Sequence, residues 1–318
     1  MPVPSEASEN VGPLRIAFSG AASLPTKSGY GFAVNIPCLA GVAAEEIFPA
    51  VTLDKEEPGL SLYRAGDLLL GFGTERLAGA DIDGHTRRLY QRMLATCTGL
   101  FLYRVWNYVP QINGTVAGME NYRAFCRGRS EMFERSLGDE YKQLLPAASA
   151  VGCDDDRISA VFVAGAERPT HIENPEQVPA YEYPKEHGPR APSFSRATQA
   201  TANGRQYIFV SGTAAIKGHA TVSPGSLPDQ IACTLDNLRL VSQAAGVGDS
   251  LGADDGWTRH FKVYLRRAED LLLARSLLEG PLLKEADQVT WLRSDVCRSA
   301  LNIEIEATMV KKCEGENG

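Results

Sequence analysis

The sequence lacks the features that proteins use to cross membranes or to bind nucleic acid. No apolar run approaches the roughly 20 residues of a membrane helix. A signal peptide has a basic region followed by an apolar one, and the opening MPVPSEASEN has neither. The formal charge is -7 and the basic residues are scattered, so no basic stripe is available for a phosphate backbone. We therefore expect a cytoplasmic protein without membrane or nucleic-acid partners.

Paired cysteines and metal-spaced histidines are also missing. The seven cysteines form an odd set without a CxxC pair, which argues against a disulfide framework and a zinc site. The five histidines belong to no HExxH motif, and the chain has no GxSxG, Walker or GxGxxG motif. What is present is a globular composition, with 44% hydrophobic and 22% charged residues. We expect chemistry without a metal or a cofactor.

Hydrophobic periodicity predicts the same order of elements, β-α-β-α-β, in both halves of the chain. Two lobes are therefore expected, at 12–165 and 205–312, and the similar spacing arises either by chance or from an internal duplication. In the first half we predict strands at 67–72, 100–109 and 158–164 and helices at 86–96 and 120–137. In the second half we predict strands at 206–212, 260–265 and 300–309 and helices at 229–245 and 268–278.

A segment at 166–204 joins the two predicted lobes. Its central part, 167–196, contains seven prolines or glycines, which predicts an irregular loop. Loops of this length are usually linkers or functional segments. The segment also carries Tyr183, His187 and Arg196. This aromatic and basic content predicts that it forms a wall of the site.

The last predicted strand alternates between apolar and acidic side chains. Ile303 and Ile305 would lie on one face, and Glu304 and Glu306 on the other. A face exposed to water is the ordinary explanation. If Glu304 is instead enclosed, loss of hydration raises its pKa and allows it to act as a general acid. Cys297 is either a small buried apolar group or a neighbour of the same cavity.

Arginine and aromatic side chains are concentrated at 103–110 and 121–130. Arginine can form two parallel hydrogen bonds with a carboxylate, so these segments predict an anion site. A solvated helix face is the alternative for any one of these arginines. That alternative fits Arg123 better than Arg104, which lies within a predicted strand.

Several motifs in the second half resemble the RidA/YjgF fold over roughly 205–310. They are Ser211-Gly-Thr-Ala-Ala215, Lys262-Val-Tyr-Leu265 and Glu304-Ile-Glu306. A longer series, in order along nearly the whole chain, resembles the chorismatase family. These motifs are RVWNYVPQIN at 104–113, YRAFCRGR at 122–129, ENPEQVPAYEYP at 173–184 and PSFSRA at 192–197.

The resemblance implies an α/β (α+β) fold of two RidA/YjgF-like lobes, each a mixed β-sheet covered by helices. The active site would lie in the C-terminal lobe near the lobe interface. The implied reaction is cofactor-free cleavage of the enolpyruvyl ether of chorismate, with Glu304 protonating the enol methylene. The implied substrate-binding residues are Arg196, Tyr183 and Arg129, and Arg104 is a further candidate from its place in a strand.

The resemblance also bears on the product. Cys297 matches the cysteine that marks the 3-hydroxybenzoate-forming branch, seven residues before Glu304. In that branch the C4 hydroxyl of the ring is the nucleophile and the products are 3-hydroxybenzoate and pyruvate. Attack by water would instead give 3,4-dihydroxycyclohexa-1,5-dienecarboxylate. A small residue matched by Ala214 or Ala215 would control the access of water.

Two other functions remain open from the sequence. The C-terminal lobe alone is similar to imine deaminases and small-metabolite binding proteins of the RidA type, and the lack of metal motifs is compatible with a scaffold protein. We expect a monomer, because two fused lobes can bury within one chain what single-lobe relatives bury between subunits.

Overall fold

The computed structural model describes residues 11–18, 30–79 and 81–313. The first half contains eleven strands and two helices in these residues. They are β1 (Val11–Phe18), β2 (Tyr30–Val34), β3 (Cys38–Gly41), β4 (Ala44–Glu57), β5 (Leu60–Ala65), β6 (Leu68–Arg76), α1 (Ile82–Thr96), β7 (Phe101–Pro110), β8 (Thr115–Val116), β9 (Met119–Glu120), α2 (Asn121–Leu137), β10 (Ala147–Cys153) and β11 (Arg157–Gly165).

The second half begins with two strands inside the segment that we expected to be a connection. Its elements are β12 (Thr170–Ile172), β13 (Ala197–Ala202), β14 (Arg205–Thr213), β15 (Ile216–Lys217), β16 (Ala220–Thr221), α3 (Leu227–Ala244), β17 (Thr258–Leu265), α4 (Leu271–Leu278), β18 (Gln288–Arg293) and β19 (Ile303–Lys312). Short 3-10 turns precede α4 and interrupt the connecting segment, at Ala180–Glu182, Lys185–His187 and Ala268–Asp270.

These elements form two large mixed sheets. The first has the strand order β10-β7-β11-β6-β5-β4-β1-β2, and the second has the order β12-β13-β14-β19-β17-β18-β3. Strand β3 belongs to the first half of the sequence but pairs with β18, so the two lobes share a sheet. The predicted fold class of two lobes with mixed sheets covered by helices is confirmed.

The ten predicted elements are present, with most ends shifted by one to four residues. The loop prediction for 167–196 is wrong at Thr170–Ile172, which pairs with β13 as an edge strand. In the described residues, the rest of that segment forms only isolated β-bridges, from Gln177 to Gly218 and from Ser195 to Ala147. Within sheets, proline is tolerated mainly in edge strands, and the prolines of this segment explain why its edge strand β12 is only three residues long.

The two sheets face each other, and helices cover their outer faces. Val105 of β7 belongs to the apolar cluster under α1 and α2, whereas Trp106 belongs to the cluster between the sheets. Trp106 meets Phe209 of β14 edge to face there, with ring centroids 6.2 Å apart. Such a contact contributes about 0.5–1.5 kcal/mol beyond its buried area.

Strand β19 shows the predicted alternation with a different environment on the acidic face. Ile303 and Ile305 pack beneath α3 and α4, as expected. Glu304 and Glu306 point into the layer between the sheets and are 3% and 1% exposed. The ordinary explanation of a water-facing surface therefore does not apply, because the first sheet covers this face and encloses Glu304. None of the helices among the described residues combines the length and apolarity needed to cross a bilayer.

Candidate active site

Four charged side chains are buried between the sheets, and we call them the buried ion network. Arg104 donates to Glu306 over 2.7 Å, and Lys262 lies 2.6 Å from both Glu306 and Glu45. Two positive and two negative charges cancel, so each buried charge has a partner. Burial alone raises the pKa of Glu306, but the charges of Lys262 and Arg104 outweigh it and hold the pKa below its ordinary value.

Glu304, two residues before Glu306 on β19, lies outside this network. Burial raises the pKa of Glu304 to about 8, from an ordinary value of 4.5, and the negative charge of Glu306 adds to the rise. Contact with the Cys297 thiol offsets part of it. At neutral pH the Glu304 carboxyl is therefore mainly protonated, and it can donate a proton.

A β-bulge makes room for the Glu304 carboxyl group. The register between β14 and β19 shifts after Val210, which leaves one extra residue on β14. Gly212 lies in this bulge, and a Cβ atom added to it would lie 2.0 Å from Glu304 Oε1. Bulges are common beside active sites, where they redirect side chains. Glycine at this position leaves open the space that the carboxyl occupies.

Glu304 lies at the wall of a cavity of about 390 Å³. This volume is within the range of about 300–1,000 Å³ typical of small-molecule sites. Gly212, Ala214 and Cys297 line the cavity beside the carboxyl. The Cys297 side chain is partly exposed, yet protein atoms enclose its sulfur, and this burial raises the pKa of the thiol far above its ordinary value. The thiol is therefore neutral and can act only as a weak hydrogen-bond donor.

Three arginines make another part of the wall positive, although Glu120 and Glu186 also line it and Glu120 lies 3.3 Å from Arg123. Arg123, Arg196 and Arg298 all line the cavity. Tyr183 lies between two of them: the Cζ atoms of Arg196 and Arg298 are 5.8 and 5.4 Å from its ring centroid. Arg196 also donates to the Tyr183 hydroxyl over 2.9 Å. Planar guanidinium groups in this arrangement can bind carboxylates through paired hydrogen bonds.

The structure brings together most of the residues selected from the sequence. Those that line the cavity are Glu304, Cys297, Arg196, Tyr183 and Ala214. Those that do not line it are Arg104, Arg129 and Ala215. Arg104 is held in the buried ion network, Ala215 is in the core, and the guanidinium of Arg129 stacks 4.7 Å from the Phe125 ring on α2.

Two cavity arginines were not selected as site residues from the sequence. Arg123 was better explained there as part of a solvated helix face, and its side chain is 45% exposed. Arg298 follows Cys297 directly, but no sequence pattern marks it as a site residue. Its guanidinium donates to the His219 carbonyl oxygen over 2.9 Å. Its position beside Cys297 was the one indication in the sequence that Arg298 could belong to the site. The turn that directs its side chain into the cavity depends on tertiary structure.

This arrangement defines a two-lobed α/β protein that holds a protonated carboxyl beside an arginine-lined cavity. The family model described as "Chorismatase FkbO/Hyg5-like, N-terminal" matches residues 50–164. A solved structure of a chorismatase superposes on the chain with a TM-score of 0.80 and 30% identity, over 96% of this chain and 95% of that one. A chorismatase from Streptomyces hygroscopicus is 36% identical over 257 residues, which cover 78% of this chain and 73% of that protein. The chain belongs to the chorismatase family.

The name of a second relative specifies its product. The 3-hydroxybenzoate synthase of Streptomyces hygroscopicus is 41% identical over 218 residues. The match covers 66% of this chain and 63% of that protein, so it spans less than two thirds of the relative's length. The YjgF gene product of E. coli matches 45% of this chain, with 19% identity and a TM-score of 0.31.

Proposed function

We propose that the protein cleaves the enolpyruvyl ether of chorismate to pyruvate and 3-hydroxybenzoate, with Glu304 as the general acid. The observation that carries the proposal is a buried carboxyl, with a pKa raised by its burial, at the wall of a cavity that three arginines also line. Chorismate carries two carboxylates and an acid-labile enol ether, and this cavity offers a matching set of groups. The family relationship supports the same substrate.

In the proposed reaction, Glu304 transfers its proton to the terminal methylene carbon of the enol ether. The ether carbon becomes an oxocarbenium ion, which the C4 hydroxyl of the ring captures. The resulting ketal then opens: the C4–O bond breaks and that oxygen leaves in pyruvate, while the C3 oxygen is released from the ketal carbon. Loss of the C3 proton makes the ring aromatic and the C3 oxygen takes up a proton, so the products, 3-hydroxybenzoate and pyruvate, contain every atom of chorismate without added water. The proton that leaves the hydroxyl nucleophile balances the proton that Glu304 gave up.

Substrate binding is assigned to the positive wall. We propose that Arg196 and Arg298, on either side of Tyr183, bind one carboxylate and that Arg123 at the exposed end binds the other. Arg129 stays a predicted substrate ligand, although the cavity wall does not include it. We assign Arg104 a role through Glu306 rather than direct contact, since its guanidinium is 1% exposed.

The direct test is to incubate purified protein with chorismate and to follow pyruvate. Pyruvate release with 3-hydroxybenzoate as the aromatic product supports the proposal. No pyruvate release overturns it, and the non-aromatic diol in place of the phenol overturns the assignment of the internal hydroxyl nucleophile.

We also propose a monomeric cytoplasmic protein, because each sheet covers the inner face of the other within one chain.

Cys297→Ala is expected to move the product mixture toward the diol. Removing the thiol leaves space beside Glu304 where a water molecule can compete with the C4 hydroxyl. Chromatography of the products measures the ratio, and we expect the diol fraction to rise several-fold. Cys38→Ala is the matched control, since Cys38 lies on β3 and does not line the cavity. An unchanged product ratio in Cys297→Ala would contradict the role of the thiol.

Gly212→Ala is expected to reduce pyruvate release at least tenfold, because the added methyl group would occupy the position of the Glu304 carboxyl. Misplacement of a reacting group by about 1 Å can cost about 100-fold in rate. Steady-state kinetics with chorismate measure the effect. Gly31→Ala is the control for loss of a glycine, since Gly31 lies on β2 outside the cavity and the nearest atom to a Cβ added there, the Arg15 carbonyl oxygen, is 3.5 Å away. Full activity in Gly212→Ala would contradict the proposed position of the acid.

A further inference from the structure

Three side chains that commonly bind metals meet at the entrance of the cavity. His187 Nε2 lies 3.0 Å from His219 Nδ1, and each of these atoms lies 3.5 Å from Glu186 Oε1. A triangle with these sides has its equidistant point about 1.9 Å from each corner. Ligand distances around Zn²⁺ are about 2.0–2.2 Å for imidazole nitrogen and carboxylate oxygen. We propose that Glu186, His187 and His219 form a binding site for Zn²⁺.

Backbone hydrogen bonds fix the two segments that carry the three ligands. Glu186 and His187 lie in a 3-10 turn, in which the His187 amide donates to the Pro184 carbonyl over 3.1 Å. His219 lies between β15 and β16. The neighbouring Gly218 exchanges two backbone hydrogen bonds of 3.0 Å with the connecting segment, at Glu176 and Val178. The Glu186 side chain is 66% exposed, so a metal ion would have to order this carboxylate, whereas the backbone on both sides of the site is already fixed.

The chemistry of the ligands favours a transition metal over Mg²⁺ or Ca²⁺. Imidazole nitrogen suits Zn²⁺, Cu²⁺ and Ni²⁺, whereas Mg²⁺ and Ca²⁺ prefer oxygen ligands. Three protein ligands leave a fourth position of a tetrahedral Zn²⁺ site open, as in other zinc sites that accept a further ligand. The histidines are far apart in the sequence, at 187 and 219, so no spacing motif could indicate the site.

The charges around the site are mixed. Glu186 supplies one negative charge, and Arg298 and Arg123 are positive neighbours that lower the affinity for a cation. The guanidinium of Arg298 is turned toward the His219 and Thr221 oxygens rather than toward the ligand nitrogens.

Metal binding would join the connecting segment to the β15–β16 hairpin across the cavity entrance. Glu186 and His187 themselves line the cavity. Bound Zn²⁺ should therefore stabilise the protein and hinder the entry of substrate. This second consequence rests on the proposed function, whereas metal binding does not.

The experiment is calorimetric titration of the full chain with Zn²⁺, accompanied by the visible absorption spectrum after addition of Co²⁺. We expect one site in the unchanged protein and a loss of affinity of at least about tenfold in His219→Ala and in Glu186→Gln, since even indirect ligand partners contribute about 10- to 100-fold. His171→Gln is the matched control, because His171 lies on β12 and hydrogen-bonds to Thr198.

The proposal is supported if His171→Gln binds as the unchanged protein does while both ligand variants bind weakly. It is overturned by the absence of binding, by equal affinity in His219→Ala, or by a thiolate-to-Co²⁺ absorption band, which would place the metal on a cysteine. Zn²⁺ inhibition of pyruvate release that disappears in His219→Ala would connect the site to substrate entry. If chorismate is not a substrate at all, the titration still decides whether the metal site exists.

Discussion

Glu304→Gln is expected to lower kcat/KM for pyruvate release from chorismate by about 100- to 10,000-fold, the contribution typical of a general acid. Glutamine keeps the size and shape of the side chain but has no proton that it can transfer to carbon. Steady-state kinetics measure the loss. Glu279→Gln is the control, because Glu279 is an exposed residue that pairs with Arg275 at the end of α4. Retention of full activity in Glu304→Gln would remove the central residue of the mechanism.

The same substitution is expected to stabilise the fold at neutral pH. The pKa of Glu304 is about 8 in the folded protein, against an ordinary value of 4.5 that applies to the unfolded chain. At pH 7 the folded protein therefore holds a proton that the unfolded chain has released, at a cost of about 3 kcal/mol. This cost is absent below pH 4.5, grows as the pH rises, and becomes constant above pH 8.

Chemical unfolding at several pH values tests this expectation. Glu304→Gln should equal the unchanged protein in free energy of unfolding near pH 4 and exceed it by about 3 kcal/mol at pH 7. A difference that does not vary with pH would mean that Glu304 is not the group that titrates. Together, the kinetic and stability results would show that the protein gives up stability to keep this acid protonated.

The sequence predicted the acid but not its surroundings. Alternation along the last strand placed Glu304 and Glu306 on one face, because the period of a strand is local. The burial of that face depends on β7, about 200 residues earlier, whose Arg104 and Trp106 lie against it. No local pattern records which sheet covers which. For the same reason, the pairing of His187 with His219 could not be read from their spacing.

The N-terminal strands show a second limit of local reasoning. Strand β4 runs from Ala44 to Glu57 and contains Pro49, and a proline normally argues against an interior strand. The register between β1 and β4 is irregular here: Phe48 pairs with Leu14, and the next pair joins Val51 to Gly12. Pro49 therefore lies where the ladder needs no amide hydrogen. An irregularity of this kind is set by the neighbouring strand, so the sequence alone hides it.

Glu306→Gln is expected to shift the alkaline limb of the pH profile of kcat/KM to lower pH. That limb reports the pKa of the acid in the free enzyme. Glu306 is held anionic by Lys262 and Arg104, and its charge raises the pKa of Glu304. Without it, the buried ion network has a surplus positive charge, which favours the Glu304 carboxylate. The enzyme then loses its protonated acid at a lower pH.

A pair of compensating variants separates this effect from simple damage. Breaking a buried ion pair costs about 3–5 kcal/mol, so Glu306→Gln alone is expected to lower the melting temperature. Arg104→Met removes a positive charge that lowers the pKa of Glu304, and it should shift the alkaline limb to higher pH. The double variant removes one charge of each sign, so both its stability and its pH profile should return toward those of the unchanged protein.

The opposite directions of the two single shifts are the decisive feature. If the two charged residues only held the sheets together, both single variants would lose activity, and the alkaline limb of the pH profile would not move in opposite directions. If the limb stays in place in all three variants, the charge of Glu306 does not set the pKa of Glu304, and burial alone must account for it. If the shifts are opposite and cancel, the strand supplies an acid together with the fixed charge that keeps it protonated.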